Sequence, residues 1–457
     1  MLKKFFCVFL IICLLFTPML TVNAYEPTGI EITANAALLV SMDTDEVLYE
    51  KNADQKVYPA SITKIMTVLL MLESDKYSPD AKIAMSESAL KRISGTGSSV
   101  SLLKAGEEFT QLDLVYMVLM SSYGDCALLA AEYYGGSVEN FVDMMNARAV
   151  ELGLDGTHYE NPIGLHHDEN YTTAYDTYKL TKVALQNDTF KEVCESTRYT
   201  VNASVSGKRT LSTTNQLQDN TTNYYYQYAK GVKTGFTDEA GRCLVSTASY
   251  DGYNYMCIVF GCPPTEKKHF TESRDLYRWA FNNFEFKTVA DVTTPVAEIK
   301  VELSNDTDFV SLYLEKSFIS VLPKDADDST ISIKAKPNSD TINAPIKKGQ
   351  VLGTADIIYA EKVIGTVNLI SNENIEKSSL LYVIDEAENF FTSSYMIILY
   401  VLVAIIIFIF IIAVIKMNAK SRKKRKIKYK PYKEKNRQYD KISEDSYLDF
   451  EDNKKSR

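Results

Sequence analysis

The chain has 457 residues, of which 46% are apolar and 24% are charged. This is long enough for two or three globular domains, and the composition excludes a disordered or fibrous protein. The net charge of −9 is uneven, because residues 25–415 carry a net −20 and residues 416–457 carry a net +9. We expect no nucleic-acid partner for so acidic a body. Seven cysteines without a CxxC pair and four histidines exclude a disulfide-rich scaffold and favour no metal site or other cofactor.

The N-terminus has the pattern of a secretory signal peptide. Two lysines precede an apolar stretch, and Val22 and Ala24 place small residues at the −3 and −1 positions of a cleavage site before Tyr25. Thr17-Pro18 interrupts the apolar run before it is long enough to span a bilayer. We therefore predict that residues 1–24 are a signal peptide that is removed.

A second apolar segment predicts a membrane anchor near the C-terminus. Residues 395–415 are apolar and uncharged, which is the length that crosses the hydrocarbon core as a helix. Lys416 and the basic run Arg422–Lys426 follow at once. Because basic residues stay on the cytoplasmic side, the sequence predicts a single-pass protein of the cell membrane with an extracytoplasmic body. The charged tail, 416–457, is predicted to be cytoplasmic and disordered.

The sequence between these segments predicts two domains that differ in their secondary-structure patterns. The first, 25–285, mixes helical and strand patterns and favours an α+β domain with an antiparallel sheet. Its predicted elements are a hairpin at 36–48, helices at 61–74 and within 111–134, and three strands at 230–260. The second, 290–385, shows short alternating strands and polar turns, which predict a small all-β domain.

Ser61 and Lys64 form an SxxK motif at the start of the first apolar helix. Residues three apart share a helix face, so the Lys64 amine can reach the Ser61 hydroxyl. To act as a base the amine must be neutral, which requires burial or cationic neighbours that lower its pKa. Alone the motif is weakly specific, since Ser61 could equally be a helix cap and Lys64 a surface residue.

Lys233-Thr234-Gly235 lies on a predicted strand, 169 residues after Lys64. A cation and a hydroxyl project from the strand there, and the glycine allows close approach to the backbone. SxxK followed by KTG is the signature of penicillin-binding proteins and class A β-lactamases.

The surrounding segments resemble the low-molecular-weight D-alanyl-D-alanine carboxypeptidases, the serine-type penicillin-binding proteins. Similar segments surround both motifs and also occur between them. They are Tyr58–Thr67, Asn161–Leu165, Tyr171–Asp176 and Gly231–Gly241. The resemblance covers 30–285 well and extends more loosely to Pro345–Gln350 in the β domain. It implies a transpeptidase-like catalytic domain followed by a small β domain, and the apolar segment 395–415 adds the predicted C-terminal membrane helix.

The middle motif departs from the family pattern. The family has Ser-x-Asn followed by Asp, whereas this chain has Ser122-Tyr123-Gly124-Asp125. In the family, the asparagine hydrogen-bonds the amide carbonyl of the substrate and the surroundings of the lysine. A lost hydrogen bond of this kind costs on the order of 1.5–3 kcal/mol, roughly ten- to a hundredfold in rate, unless water or Tyr123 substitutes.

The resemblance implies hydrolysis of peptidoglycan stem peptides through an acyl-enzyme. Ser61 is the expected nucleophile, Lys64 the base that accepts its proton, and Ser122 the relay to the leaving D-alanine nitrogen. β-Lactams are the expected inhibitors, because they mimic the acyl-D-alanyl-D-alanine end of the substrate.

The KTG strand supplies the implied substrate-binding residues. Lys233 and Thr234 hold the terminal carboxylate, and Gly235 lets the backbone approach closely. The backbone N–H groups of Phe236 and Ser61 form the expected oxyanion hole.

Two alternatives remain open at this stage. A catalytically weak penicillin-binding or peptidoglycan-binding protein of the same fold is supported only by Gly124. A β-lactamase is disfavoured because the 155–170 loop lacks the ExxLN-type element that supplies an extra base.

Overall fold

The structure is a computed structural model, and it describes residues 29–426. The predicted signal peptide and residues 427–457 of the predicted tail lie outside the described residues. The helices are α1 (Lys64–Glu73), α2 (Glu87–Ile93), α3 (Gln111–Leu119), α4 (Gly124–Gly135), α5 (Val138–Glu151), α6 (Ala174–Ala184), α7 (Asp188–Glu195), α8 (Lys268–Asn283), α9 (Ser379–Thr392) and α10 (Ser394–Lys426).

The strands fall into one large catalytic-domain sheet, several hairpins and a C-terminal sheet. They are β1 (Ala36–Ser41), β2 (Val47–Lys51), β3 (Lys82–Ala84), β4 (Glu108–Thr110), β5 (Arg198–Ala203), β6 (Gly207–Ser212), β7 (Ala229–Thr237), β8 (Gly241–Tyr250), β9 (Tyr253–Cys262), β10 (Phe284–Ala290), β11 (Ala297–Glu302), β12 (Phe309–Leu314), β13 (Phe318–Pro323), β14 (Ile331–Pro337), β15 (Thr341–Asn343), β16 (Val351–Tyr359) and β17 (Lys362–Ser371).

The large sheet has five strands in the order β2-β1-β9-β8-β7, and every neighbouring pair is antiparallel. Successive side chains point to opposite faces, so Ile258 on β9 joins one hydrophobic cluster while Cys257 and Val259 join the other. Both faces are therefore buried, which explains the nearly continuous apolar run of this strand. The predicted α+β class with an antiparallel sheet is confirmed.

Helix α1 lies in the larger cluster and is buried from Lys64 to Met71. A helix that is apolar all round is a core helix, and α1 has this pattern except for Lys64, Thr67 and the last residue, Glu73. Helices α3 and α4 contribute to the same cluster, and the break predicted between them falls at residues 120–123. On the other face, α8 packs against β8 and β9 through residues such as Leu276 and Tyr277.

The C-terminal strands form a six-stranded sheet in the order β14-β16-β17-β12-β11-β15, next to a separate β10-β13 pair. This agrees with the all-β domain predicted from the sequence. The strands end at Ser371, however, and residues 379–392 are helical where the sequence predicts β structure as far as 385. The run Leu380–Ile384 is rich in β-branched and aromatic residues, so on its own it has the pattern of a strand.

The chain divides into two compact units. Among the described residues, the first unit contains the chain up to Val301, Asp308–Ile342 and Ile346–Asn374, and the second contains Glu302–Thr307, Asn343–Pro345 and the chain from Ile375. In the second unit, α10 includes one segment, Ser394–Lys420, that could cross a membrane by its length and composition. The domain boundaries drawn from the sequence remain predictions.

Candidate active site

The structure joins Ser61 and Lys64 directly. Ser61 lies in a short 3₁₀ turn, Ala60–Thr63, that continues without a break into α1. The Lys64 Nζ donates to the Ser61 Oγ at 2.9 Å. Ala60, immediately before the serine, has a φ of +45°, a conformation that a non-glycine residue adopts only when its surroundings enforce it. The turn therefore holds the hydroxyl against the amine.

Lys64 is 1% exposed, and its environment favours the neutral amine. Burial lowers the pKa of Lys64 from 10.5 to about 7, against the opposing influence of Asp125 and Cys126. Asp125 is itself fully buried and accepts hydrogen bonds from the Ser101 backbone N–H at 2.9 and 3.0 Å. Asp125 matches the aspartate of the family motif, but the motif alone does not predict this electrostatic effect on Lys64.

A loop on the other side of Lys64 fixes the amine. The Lys64 Nζ donates to the carbonyl oxygen of Ile163 at 2.6 Å, and the Thr67 hydroxyl donates to that of Pro162 at 2.7 Å. Within the loop, the Asn161 side chain accepts from the Leu165 N–H and donates to the Leu165 carbonyl, both at 2.9 Å. The sequence identified this segment as similar to the family, but a backbone carbonyl carries no side-chain signal, so its contact with Lys64 was missed.

Gly164 allows this loop to approach. Its φ is +77°, and a Cβ at this position would lie 1.8 Å from the Ala60 carbonyl oxygen. The glycine is therefore required both by its backbone conformation and by its contact with the turn that carries Ser61.

Strand β7 brings the KTG motif to the same place. A Cβ at Gly235 would lie 3.0 Å from the Pro59 carbonyl oxygen, so the close approach at this glycine is to the turn before Ser61. Lys233 is 1% exposed and donates to the Thr234 carbonyl oxygen at 2.9 Å. Burial first, and then the charge of Lys64, hold the pKa of Lys233 well below its ordinary value. A bound carboxylate would raise the pKa of Lys233, because a nearby negative charge favours the protonated amine.

Thr234 and Phe236 are accessible to solvent, whereas Lys233 is buried. The Thr234 hydroxyl donates to the Thr214 hydroxyl at 2.7 Å. Phe236 is half exposed, with the Arg242 guanidinium 5.0 Å from its ring centroid. The sequence did not predict a role for Thr214, because this residue lies in an irregular loop and belongs to no recognised motif.

Ser122 is less firmly placed than the other predicted site residues. It lies between α3 and α4 with a φ of +63° and is half-buried. Among the described residues its hydroxyl has no hydrogen-bond partner, so no such bond joins it to Ser61 or Lys64. Asp125, three residues further on in α4, raises the pKa of Lys64 through its charge.

Gly124 is buried as the first residue of α4. A Cβ there would lie 2.7 Å from Ile93 Cδ1 and 3.2 Å from Ser98 Cβ. An asparagine at this position would therefore require the Ile93 side chain to move. Tyr123, the residue that could substitute for the missing side chain, packs partly against the larger core cluster.

In the described part of the chain, no group of three or more His, Cys, Asp or Glu side chains is arranged to hold a metal ion. The chemistry available at the site is that of a serine hydroxyl, two buried amines and backbone N–H groups. This combination suits nucleophilic attack and acyl transfer.

Comparison with known proteins assigns the chain to a family. The family model described as D-alanyl-D-alanine carboxypeptidase matches residues 21–263, and that of the penicillin-binding protein 5 C-terminal domain matches residues 284–377. The chain belongs to the D-alanyl-D-alanine carboxypeptidase family. It is an enzyme of the serine-type D-Ala-D-Ala carboxypeptidase class, as the sequence resemblance implied.

Individual relatives cover most of both chains. D-alanyl-D-alanine carboxypeptidase DacF of Bacillus subtilis is 32% identical over 76% of this chain and 87% of its own length. DacC of Escherichia coli is 31% identical over 76% and 85%. The crystal structure of penicillin binding protein 5 from Haemophilus influenzae has a TM-score of 0.63 and 28% identity, and the match covers 77% of this chain and 100% of that one.

Replacement of Gly164 tests the loop contact. Gly164→Ala should slow acylation of Ser61 by a fluorescent penicillin at least about tenfold, because displacement of a catalytic group by about 1 Å can cost roughly a hundredfold. Gly153→Ala is the matched control, since Gly153 also has a positive φ, +63°, but has open space around its Cβ position. Both changes carry the backbone cost of about 1–2 kcal/mol, which thermal unfolding measures. Equal acylation rates in the two variants would show that the loop does not position Ser61 and Lys64.

Proposed function

We propose that the chain removes the terminal D-alanine from peptidoglycan stem peptides through an acyl-enzyme on Ser61. The observation that carries this proposal is the 2.9 Å contact between the Ser61 hydroxyl and a buried amine whose pKa is lowered to about 7. Near neutral pH a substantial fraction of that amine is neutral and has a lone pair to accept the serine proton. Ser61 Oγ then attacks the carbonyl between the two D-alanines.

Other residues of the site stabilise the negative charge that develops in this step and transfer the proton to the leaving group. The N–H groups of Ser61 and Phe236 stabilise the oxyanion of the tetrahedral intermediate. Ser122 and Lys64 return the proton to the leaving D-alanine nitrogen, whose bond to the carbonyl carbon breaks. Water then hydrolyses the acyl-enzyme and regenerates Ser61.

Lys233 and Thr234 bind the terminal carboxylate of the substrate. Lys233 is buried next to Lys64, so a bound anion offsets the repulsion between the two amines. The Thr234 hydroxyl, now bonded to Thr214, can turn to the carboxylate. β-Lactams carry an equivalent carboxylate beside a strained amide, which supports penicillin binding at the same place.

Gly124 favours the weaker alternative, a penicillin-binding protein with slow peptide turnover. The lactam ring brings its own strain energy to acylation, whereas the peptide depends on correct placement of its amide. The two activities therefore respond differently to a missing positioning group, and they must be measured separately.

The nucleophile is tested on the full-length protein in detergent. Penicillin should add one adduct, located on Ser61 by mass spectrometry of proteolytic fragments. Ser61→Ala should lose the adduct and reduce hydrolysis of diacetyl-Lys-D-Ala-D-Ala by about 10³-fold or more, since the covalent pathway is gone. Ser121→Ala is the control and should keep both activities. Labelling of Ser61→Ala at the parent rate would refute the assignment, and labelling without peptide turnover in the parent protein would establish the weak alternative.

We also propose that the chain is anchored in the cell membrane by α10, with its body outside and its tail inside. The apolar segment Ser394–Lys420 and the basic residues that follow Lys416 support this. Protease added to protoplasts should digest the body and spare an epitope at the C-terminus. Digestion of that epitope in intact protoplasts would contradict this topology and show that the tail lies outside the cell.

A further inference from the structure

A cavity of about 460 Å³ opens beside helix α8, on the face of the large sheet opposite to the helix that carries Lys64. It is lined by Tyr225–Tyr228 before β7, by Tyr250 at the end of β8, and by Arg278, Phe281 and Asn282 of α8. None of the residues given a catalytic or carboxylate-binding role contributes to its lining. Its volume falls in the range of small-molecule sites, about 300–1,000 Å³. A ligand in this cavity would therefore leave the catalytic site free.

Aromatic rings form the wall of this cavity. The centroid of the Tyr228 ring lies 4.3 Å from that of Tyr250 and 5.4 Å from that of Tyr226. Phe281 packs edge-on against Tyr250 at 5.7 Å. Tyr226 belongs to the hydrophobic cluster under α8, and Tyr228 and Phe281 pack against that cluster. Because the rings support one another, the wall is formed before a ligand arrives, and binding does not have to order it.

Polar groups on the same wall are free to bind a ligand. In the part of the chain that the structure describes, the hydroxyls of Tyr226, Tyr228 and Tyr250 make no hydrogen bond. The Arg278 guanidinium lies 5.8 Å from the centroid of the Tyr226 ring, and its ion pair with Asp275 is 3.7 Å long, beyond hydrogen-bond distance. No carboxylate lines the cavity. It therefore combines aromatic faces with hydrogen-bond donors, and the charge of Arg278 disfavours a cation.

These properties suit a sugar. The faces of a pyranose ring carry C–H groups, which are attracted to the negative face of an aromatic ring. Its edge carries hydroxyl and acetamido groups, which require hydrogen-bond partners once they are removed from water. A lipid chain in the same place would leave the guanidinium and the tyrosine hydroxyls unpaired.

We propose that this cavity is an accessory binding site for the N-acetylated glycan strand of peptidoglycan. The rings of Tyr228 and Tyr250 stack on a sugar, and Arg278 donates to its hydroxyl or acetamido oxygens. The choice of polymer rests on the proposed function, because this glycan carries the stem peptides. An enzyme held on one part of the polymer meets the stem peptides nearby at a raised effective concentration.

Binding is tested on the full-length protein in a detergent without a sugar headgroup. The probe is a fluorescent tetrasaccharide of alternating N-acetylglucosamine and N-acetylmuramic acid that carries no peptide. Fluorescence polarisation should show saturable binding, and Tyr250→Ala and Arg278→Gln should each weaken it at least about fivefold. Tyr133→Ala and Arg92→Gln are matched controls and should bind as the parent does. Tyr133 is 40% exposed against 46% for Tyr250, and Arg92, like Arg278, is an exposed helix residue with a carboxylate nearby.

Hydrolysis distinguishes a glycan site from a general defect. On soluble glycan strands that carry stem pentapeptides, Tyr250→Ala and Arg278→Gln should raise KM for D-alanine release about three- to tenfold and leave kcat unchanged. On diacetyl-Lys-D-Ala-D-Ala, and in acylation by fluorescent penicillin, the same variants should match the parent protein. A loss of fold would lower all three activities.

The outcomes separate this inference from the function on which it rests. The glycan site is refuted if the tetrasaccharide does not bind, if the two variants bind it as the parent does, or if their KM for the polymer is unchanged. Displacement of the tetrasaccharide by a sugar-free stem pentapeptide would also refute it, because the cavity would then be a peptide site. Tetrasaccharide binding that depends on Tyr250 and Arg278, without D-alanine release from any substrate, would instead overturn the proposed function and leave the glycan site in place.

Discussion

The site depends on the burial of one amine, that of Lys64, against the hydroxyl of Ser61. A shift of its pKa from 10.5 to about 7 corresponds to about 5 kcal/mol of lost stabilisation of the charged form. The folded protein tolerates this because the amine has two hydrogen-bond partners, Ser61 Oγ and the Ile163 carbonyl. The same burial that disfavours the charge would supply the base that the proposed serine nucleophile requires.

The surrounding elements exclude water from the Lys64 amine and fix its orientation. Core helix α1 carries it, the loop at Gly164 closes over it, and β7 packs at Gly235 against the turn before Ser61. Two charged residues interact with it electrostatically: Asp125 raises the pKa of Lys64, and the charge of Lys64 lowers the pKa of Lys233. An anionic substrate that binds Lys233 would therefore also change the electrostatics of the base, which couples recognition of the carboxylate to the chemistry.

The sequence predicted what depends on long apolar patterns and on side-chain motifs. The core helix with Ser61 and Lys64, the break between α3 and α4, and the three strands around Lys233 were all visible in this way. The contact of Lys64 with the Ile163 carbonyl was not, because a backbone group leaves no trace in side-chain chemistry. Helix α9 was missed because the run Leu380–Ile384 is too short to distinguish a strand from a helix. The packing of Ile93 against Gly124 likewise depends on tertiary structure alone.

The ionisation of Lys64 is the most direct test of this account. NMR of the full-length protein with ¹³Cε-labelled lysine gives each titration, and the spectra of Lys64→Gln and Lys233→Gln identify the two buried amines. Because burial lowers the pKa, the Lys64 amine should be protonated at pH 5, half neutral at about pH 7 and neutral by pH 9. A Lys64 signal that stays protonated until about pH 10, the ordinary lysine range, would contradict the claim that this amine is the base for Ser61.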